Sequence, residues 1–255
     1  MKDEELAVAI DTIAREAGAA ILAIYSREFE IETKSDNSPV TEADRAAEAI
    51  IVAKLRSLTP KIPVVAEEEV AAGKQTDVGS GAFWLVDPLD GTREFISRNG
   101  EFTVNIALIR DWEPVLSTVH VPAKAETYTA ASAHQVTCQR GDGPAEAIGA
   151  RRPAIDGLVA IVSRSHASPA TDEFLADLNI KERIDAGSSL KFCRVAEGAA
   201  DLYPRLGRTM EWDTAAGHAV LSCAGGSVSK LDSTPLLYGK DGFANPHFVA
   251  RGLKG

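Results

Sequence analysis

Apolar residues return every three to four positions at Leu6, Ile10, Ile13, Ala17, Ile21 and Ile24, which places them on one face of an amphipathic helix over 6–25. The same spacing at Ala46, Ala47, Ile50, Ile51, Leu55 and Leu58 predicts a second helix over 41–58, with Thr41 as its N-cap. Between them, 29–33 alternates like a strand that runs into a polar loop, 34–39. Two short apolar runs, 62–65 and 83–86, predict buried strands, and each stops in acid: Glu67-Glu68-Glu69 after the first, Asp87 after the second. The β-rich runs 102–109 and 115–120, joined by Asp111-Trp112-Glu113-Pro114, predict an antiparallel hairpin that 126–131 extends into a meander. Further on, 158–162 predicts a buried strand, 168–178 and 190–197 helices, and 201–203 a short strand. Glu211-Trp212-Asp213-Thr214 opens a small-residue helix over 215–224, which Gly225-Gly226 stops. Strands and helices mixed in this order predict an α/β (α+β) layered sandwich with one sheet per lobe. The expected lobes are 1–155 and 156–255, forming one compact catalytic unit with its site at the seam. The loosest stretches, 71–81 and 140–153, interrupt this pattern without adding a repeat or a long linker.

Charge narrows the classes of partner. With 255 residues and a formal net charge of −10, the chain lacks the basic surface that a nucleic acid or an anionic membrane requires. The three cysteines, Cys138, Cys193 and Cys223, are far apart and odd in number, so neither a disulfide framework nor a zinc site is expected. A reducing cytoplasm fits that usage. The first residues are acidic and not the basic opening of a secretory signal, and no apolar run is long enough to span a bilayer.

Candidate chemistry gathers at 84–95, Trp-Leu-Val-Asp-Pro-Leu-Asp-Gly-Thr-Arg-Glu-Phe. Asp87 and Asp90 repel each other unless a cation lies between them, and hard divalent cations accept several carboxylates at once. An acidic turn is the alternative reading. Glu67 and its neighbours repeat the design, because parallel neighbouring strands would bring both acidic ends to one sheet edge, where open α/β sheets build sites. Three glutamates on extended backbone point to alternate faces, so not all can be ligands. Asp44, three residues after Thr41, reads either as the acid of a capping box or as a carboxylate aimed at the site. Asp213 reads either as a residue of the first helical turn or as a further ligand. Asn105 and His120 read as core or edge polar residues. Ser163-Arg164-Ser165-His166 is a basic, hydroxyl-rich tip suited to an anion, although a lone His there is more often a surface or capping residue, and Lys191 stands against the macrodipole in the first turn of its helix.

Four motifs in order, Pro39-Val40-Thr41-Glu42-Ala43-Asp44, Glu67-Glu68, Asp87-Pro88-Leu89-Asp90-Gly91-Thr92 and Trp212-Asp213-Thr214-Ala215-Ala216-Gly217, make the chain resemble the inositol monophosphatase superfamily over nearly its whole length. Within it, several stretches look most like the bacterial 3'(2'),5'-bisphosphate nucleotidases: Ser35-Asp36-Asn37-Ser38-Pro39-Val40-Thr41, Arg98 to Asn105, Ser163 to His166, Gly187-Ser188-Ser189-Leu190-Lys191-Phe192-Cys193 and Leu202-Tyr203-Pro204-Arg205. The resemblance implies an αβαβα sugar-phosphatase fold and a lithium-sensitive, magnesium-dependent phosphatase. Its substrate would be the small molecule adenosine 3',5'-bisphosphate, and the sulfated nucleotide is a second candidate. It implies that Glu67, Asp87, Asp90, Asp213 and the carbonyl of Leu89 hold two or three Mg²⁺ ions, and that Asp44 and Thr92 orient the water, with Glu67 on the nucleophile side. Gly91 and Thr92 amides would touch the phosphate, and His166, Ser188, Lys191 and Arg205 would face the nucleotide. A monomer or homodimer in the cytoplasm, or peripheral at the inner membrane, is compatible. Ala66 stands where relatives often carry Ser or Gly, and Arg93 where they commonly carry Lys; both departures bear on substrate preference alone. An inositol-phosphate or fructose-bisphosphate phosphatase of the same superfamily, and a non-catalytic metal- or nucleotide-binding module, stay open as alternatives.

Overall fold

A computed structural model describes residues 1–33, 39–79, 81–132, 135–165 and 168–254. Helix α1 (Asp3–Tyr25) and α2 (Glu42–Leu58) bury Leu6, Ile10, Ile21, Ile51 and Leu55, all at the predicted periodic positions. They pack on one face of a seven-stranded sheet against Trp84, Val86, Ile106 and Leu108. That sheet runs β3 (Val64–Ala66), β4 (Phe83–Asp90), β5 (Thr103–Arg110), β6 (Glu113–Val121), β7 (Glu126–Ser132), β8 (Gln135–Arg140) and β9 (Glu146–Ala147) in spatial as well as chain order. A small hairpin of β1 (Ile31–Thr33) and β2 (Pro39–Thr41) precedes α2. The β5–β6–β7 meander is antiparallel, as the turn residues predict, whereas β3 and β4 pair in parallel.

A second, five-stranded sheet follows the order β11 (Ile180–Ala186), β10 (Leu158–Ser163), β12 (Leu202–Arg205), β14 (Phe248–Arg251) and β13 (Ser227–Lys230). Helices α6 (Leu190–Ala196) and α7 (Glu211–Cys223) lie between the sheets. The core there joins Phe83, Leu85, Val119 and Tyr128 of the first sheet to Phe192, Trp212, Ala219 and Val220, and on to Tyr203 and Phe248 of the second. Helix α5 (Pro169–Ala176) covers the far face of the second sheet through Leu175. The layers are therefore helix, sheet, helix, sheet, helix. Between the two helices the packing is close: a Cβ at Gly217 of α7 would lie 2.5 Å from the Phe192 ring of α6.

Three local readings need correction. Glu67-Glu68-Glu69 do not continue an extended strand; they open a short helix, α3 (Glu67–Ala71), because β3 ends at Ala66 and the acids suit a first turn. The apolar run at 83–86 does not give way to a loop at Asp87. β4 continues to Asp90 with an irregularity: Asp87 pairs with Asn105 and Asp90 with Thr103, so one extra residue is accommodated beside Pro88, which has no amide to give the ladder. Third, β11, β13 and β14 occupy stretches where no strand is expected from pattern. Among the described residues no helix is long and apolar enough to cross a membrane.

Candidate active site

The parallel register of β3 and β4, with Ala66 opposite Val86, delivers Glu67 and Asp87 to one sheet end. Asp87 is buried there, and its Oδ1 accepts the Leu89 amide at 3.0 Å, which closes a tight turn within the bulge. Gly91 follows at φ +90°, a left-handed conformation that glycine adopts without steric cost. A Cβ there would come within 3.2 Å of Glu94 Oε2 and 3.3 Å of Ser188 Cβ. Gly91 turns the chain into α4 (Thr92–Ile96), so that Thr92 stands at its first position.

Asp44 satisfies both readings of its sequence position. Its Oδ2 accepts the Thr41 amide at 2.8 Å and the Thr41 hydroxyl at 2.7 Å, completing a capping box on α2. Its Oδ1 accepts the Thr92 hydroxyl at 3.3 Å. Asp213, third in α7, likewise closes a capping arrangement: its Oδ2 accepts the Met210 amide at 2.8 Å. The helix end is held further by Glu211, wholly buried, which accepts the Gly239 and Lys240 amides at 2.7 and 2.9 Å and pairs with the Lys240 ammonium at 2.6 Å.

Glu67, Asp90, Gly91, Thr92 and Asp213 line a cleft of ≈ 250 Å³ together with Ser188, Lys191 of α6 and Arg205 of β12. Asp87, Leu89 and Asp44 are buried and do not themselves line it. His166 lies outside the described residues. Arg93, Glu94, Arg208 and Met210 also reach the cleft, and nothing in their sequence spacing announced it. Asn105, which reads from the sequence as a core or edge polar residue, and Ser189, which stands in the 187–193 motif without a role of its own, both hydrogen-bond Asp90 Oδ2.

The electrostatics of the acidic wall follow from burial. Asp87 is raised well above the usual carboxylate range by burial and then by the charges of Glu67, Asp90 and Asp213. Asp213 is raised for the same reasons, with Asp90 and Glu67 as its charged neighbours. Asp90 moves to about 6, because burial outweighs the opposing pull of the Lys191 ammonium and the Ser189 amide. Among the described residues no three acidic, histidine or cysteine side chains are yet gathered around one point to hold an ion. Asp90 and Asp213 each have Oδ2 engaged with a backbone amide, which leaves Oδ1 to turn toward a cation. A set of carboxylates and one carbonyl, mutually repelling and partly desolvated, fits a hard divalent ion such as Mg²⁺ and offers nothing to a soft one.

The opposite wall is cationic and hydroxylic. Lys191 is buried, and burial lowers its ammonium to about 8; two of its three protons go to the Ser188 carbonyl (2.5 Å) and the Ala186 carbonyl (3.3 Å). Arg205 donates from Nη2 to the Arg208 carbonyl at 3.1 Å, and its buried Nε has no hydrogen-bond partner among the described residues. The turn at 187–189 admits no bulk: a Cβ on Gly187 would stand 2.4 Å from Glu94 Cγ and 3.0 Å from the Glu101 carbonyl oxygen.

This fold, with an acidic sheet end facing a cationic turn, is that of a phosphatase class, and the chain belongs to the inositol monophosphatase family, whose model matches residues 1–253. Among curated proteins it is 47% identical over 244 residues to the 3'(2'),5'-bisphosphate nucleotidase CysQ of Escherichia coli O6:H1, covering 92% of this chain and 95% of that one. The Haemophilus influenzae protein of the same name is 34% identical over 258 residues, covering 98% and 94%. Among solved structures, CysQ from Bacteroides thetaiotaomicron, described as a bacterial member of the inositol monophosphatase family, superposes with a TM-score of 0.81 at 40% identity, covering 97% of each chain.

Proposed function

We propose that the chain is a Mg²⁺-dependent 3'(2'),5'-bisphosphate nucleotidase that removes the 3'-phosphate of adenosine 3',5'-bisphosphate, giving AMP and phosphate. The observation that carries the reading is the shared cleft. One wall presents Glu67, Asp90 and Asp213 with Thr92, while the other presents Ser188, Lys191 and Arg205, a pairing suited to a substrate with a phosphate to cleave and a further anionic group to hold. The relatives named above support the nucleotide over inositol and fructose phosphates as substrate, and support a catalyst over a passive binding module.

Glu67, Asp87, Asp90, Asp213 and the Leu89 carbonyl would hold Mg²⁺, in two or three ions. Bound there, the metal supplies charge for the phosphoryl and leaving oxygens and makes a water more acidic. The chain's own residues do the positioning. Asp44 is anchored by Thr41 through one oxygen and takes the Thr92 proton with the other, so Thr92 Oγ1 is left with its lone pairs available to accept a hydrogen from the attacking water. The amides of Gly91 and Thr92, at the open end of α4, suit phosphate oxygens. Lys191, protonated at neutral pH, and Arg205 offset substrate charge, and Ser188 offers a hydroxyl at the rim of the turn. The net charge of −10 then presents no barrier, since metal and these cations set the local field. In this reading the lobes 1–155 and 156–255 act as one catalytic unit in the cytoplasm.

Phosphorus NMR of the reaction tests the regiochemistry. Conversion of adenosine 3',5'-bisphosphate to AMP with Mg²⁺, abolished by EDTA and inhibited by lithium, is expected. Release of the 5'-phosphate, or metal-independent hydrolysis, would remove the reading.

A further inference from the structure

Three buried polar side chains, Thr103 and Asn105 on β5 and Ser189 at the head of α6, are 0%, 1% and 2% exposed. Buried polar groups on a sheet face are costly unless each finds partners, and these find one another across 84–86 positions of sequence. The Thr103 and Ser189 hydroxyls are 2.9 Å apart, and Ser189 Oγ donates to Asn105 Oδ1 at 2.7 Å. That bond consumes the single Ser189 proton, so Thr103 donates to Ser189. With its carbonyl oxygen so fixed, Asn105 must turn Nδ2 the other way, and it meets Asp90 Oδ2 at 3.4 Å. The Ser189 amide donates to the same oxygen at 2.5 Å. The bulge in β4 makes this meeting possible, because Asn105 pairs across the ladder with Asp87 while its amide reaches Asp90.

The same turn is held from its other side. The Gly187 amide donates to Glu101 Oε2 at 2.9 Å, and Lys191 donates to the Ser188 carbonyl. Ser188, held between these anchors at φ +47°, is the residue that lines the cleft. One hydrogen-bonded chain therefore runs from a carboxylate of the acidic wall to the residue that faces the substrate.

We propose that Asn105 and Ser189 are positioning residues which fix Asp90 Oδ2, so that Oδ1 is presented to metal, and which couple the metal wall rigidly to the 187–189 turn. The proposal rests on the reading of Asp90 as a metal ligand. Partners that orient a metal ligand commonly contribute 10–100-fold to affinity, so Ser189→Ala and Asn105→Leu should each weaken metal binding by about 10-fold.

Calorimetric titration of the EDTA-stripped, nucleotide-free protein with Mn²⁺ reads this without turnover. The expected result is weaker Mn²⁺ binding in both variants together with a raised KM for adenosine 3',5'-bisphosphate; the melting temperature in EDTA also falls, because Ser189→Ala leaves Asn105 Oδ1 and the Thr103 hydroxyl without their buried partner. Thr103→Ser, which keeps the outermost hydroxyl, should bind Mn²⁺ within twofold of wild type. Ser189→Ala keeps the amide bond to Asp90 Oδ2 and removes only the hydroxyl that orients Asn105, so Mn²⁺ affinity unchanged in both Ser189→Ala and Asn105→Leu would overturn the proposal while leaving Asp90 a ligand. An Ile10→Val variant, destabilised in the core far from Asp90, that loses Mn²⁺ affinity as much as Ser189→Ala would reduce the network to a structural role and overturn it too. An Asp90→Asn variant that binds Mn²⁺ as wild type would remove the ligand reading itself, and the proposal with it. Should Asn105→Leu fail to fold, Asn105→Ser, which also removes the amide that reaches Asp90, takes its place.

Discussion

The Thr92 hydroxyl donates to Asp44 Oδ1 at 3.3 Å, joining the first residue of α4 to the third residue of α2. Asp44 Oδ2 is simultaneously engaged by the amide and hydroxyl of Thr41. One carboxylate thus caps a helix and directs a hydroxyl, and the two jobs are separable by mutation. Thr92→Val should lower kcat by about 10²-fold or more with the melting temperature held. Asp44→Asn should lose turnover and also about 1 kcal/mol of stability, because the cap is weakened. Steady-state kinetics beside thermal melts check both; equal stability loss in the two variants would contradict the division.

Asp87 and Asp213 are raised by burial and by neighbouring carboxylates, so each ionised group is a net cost to the metal-free fold. Asp213→Asn should therefore raise the melting temperature in EDTA, by about 2–4 °C if roughly 1 kcal/mol of repulsion is relieved. The same variant should lose most turnover and most of the stabilisation that Mg²⁺ confers on wild type. Calorimetric scans with EDTA and with Mg²⁺ give both numbers.

Lys191 has a third proton available beyond those bonded to the Ala186 and Ser188 carbonyls. Lys191→Ala should raise KM for adenosine 3',5'-bisphosphate by about 10-fold, with a smaller effect on a simple sugar phosphate. His166→Ala should behave likewise. Equal losses on both substrates would assign these residues to the common machinery and not to the nucleotide.

His218 is buried in α7, its Nδ1 2.9 Å from the Tyr238 hydroxyl, and burial followed by the nearby Lys240 charge lowers its pKa to about 3. The unfolded chain, with an ordinary value near 6.5, binds the proton first. The stability that His218 contributes is therefore complete above pH 6.5 and is lost as pH falls toward about 3, by up to ~1.4 kcal/mol per pH unit. His218→Asn should be the less stable protein at pH 8 and the more stable one below about pH 5. Melting curves of both proteins across that range would show the crossing.

Much of this architecture is legible in the amino-acid sequence. The periodic faces of α1 and α2, the meander, and two strands ending in acid at one sheet end all follow from apolar spacing, and the capping box of α2 follows from Thr41 and Asp44. The second sheet was harder because β11 is an edge strand paired with β10 alone. Its sequence, Ile-Lys-Glu-Arg-Ile-Asp-Ala, carries the charge of an exposed edge and so hides its strand character. β13 and β14 are four residues each, too short for a period to show. Within the site, residue type exposed the carboxylates and the lysine, but Asn105 and Ser189 acquire their bearing on Asp90 only through a bulged strand pairing and a contact 84 positions apart in sequence. Pairing between β5 and the head of α6 has no local signature.

The most direct test of the central claim is kcat/KM for phosphate release from adenosine 3',5'-bisphosphate, inositol 1-phosphate and fructose 1,6-bisphosphate, side by side in Mg²⁺. The account predicts a preference of at least about 10²-fold for the bisphosphorylated nucleotide, collapsing for all three substrates in Asp213→Asn. Comparable or better turnover of inositol 1-phosphate by the wild-type protein would contradict it.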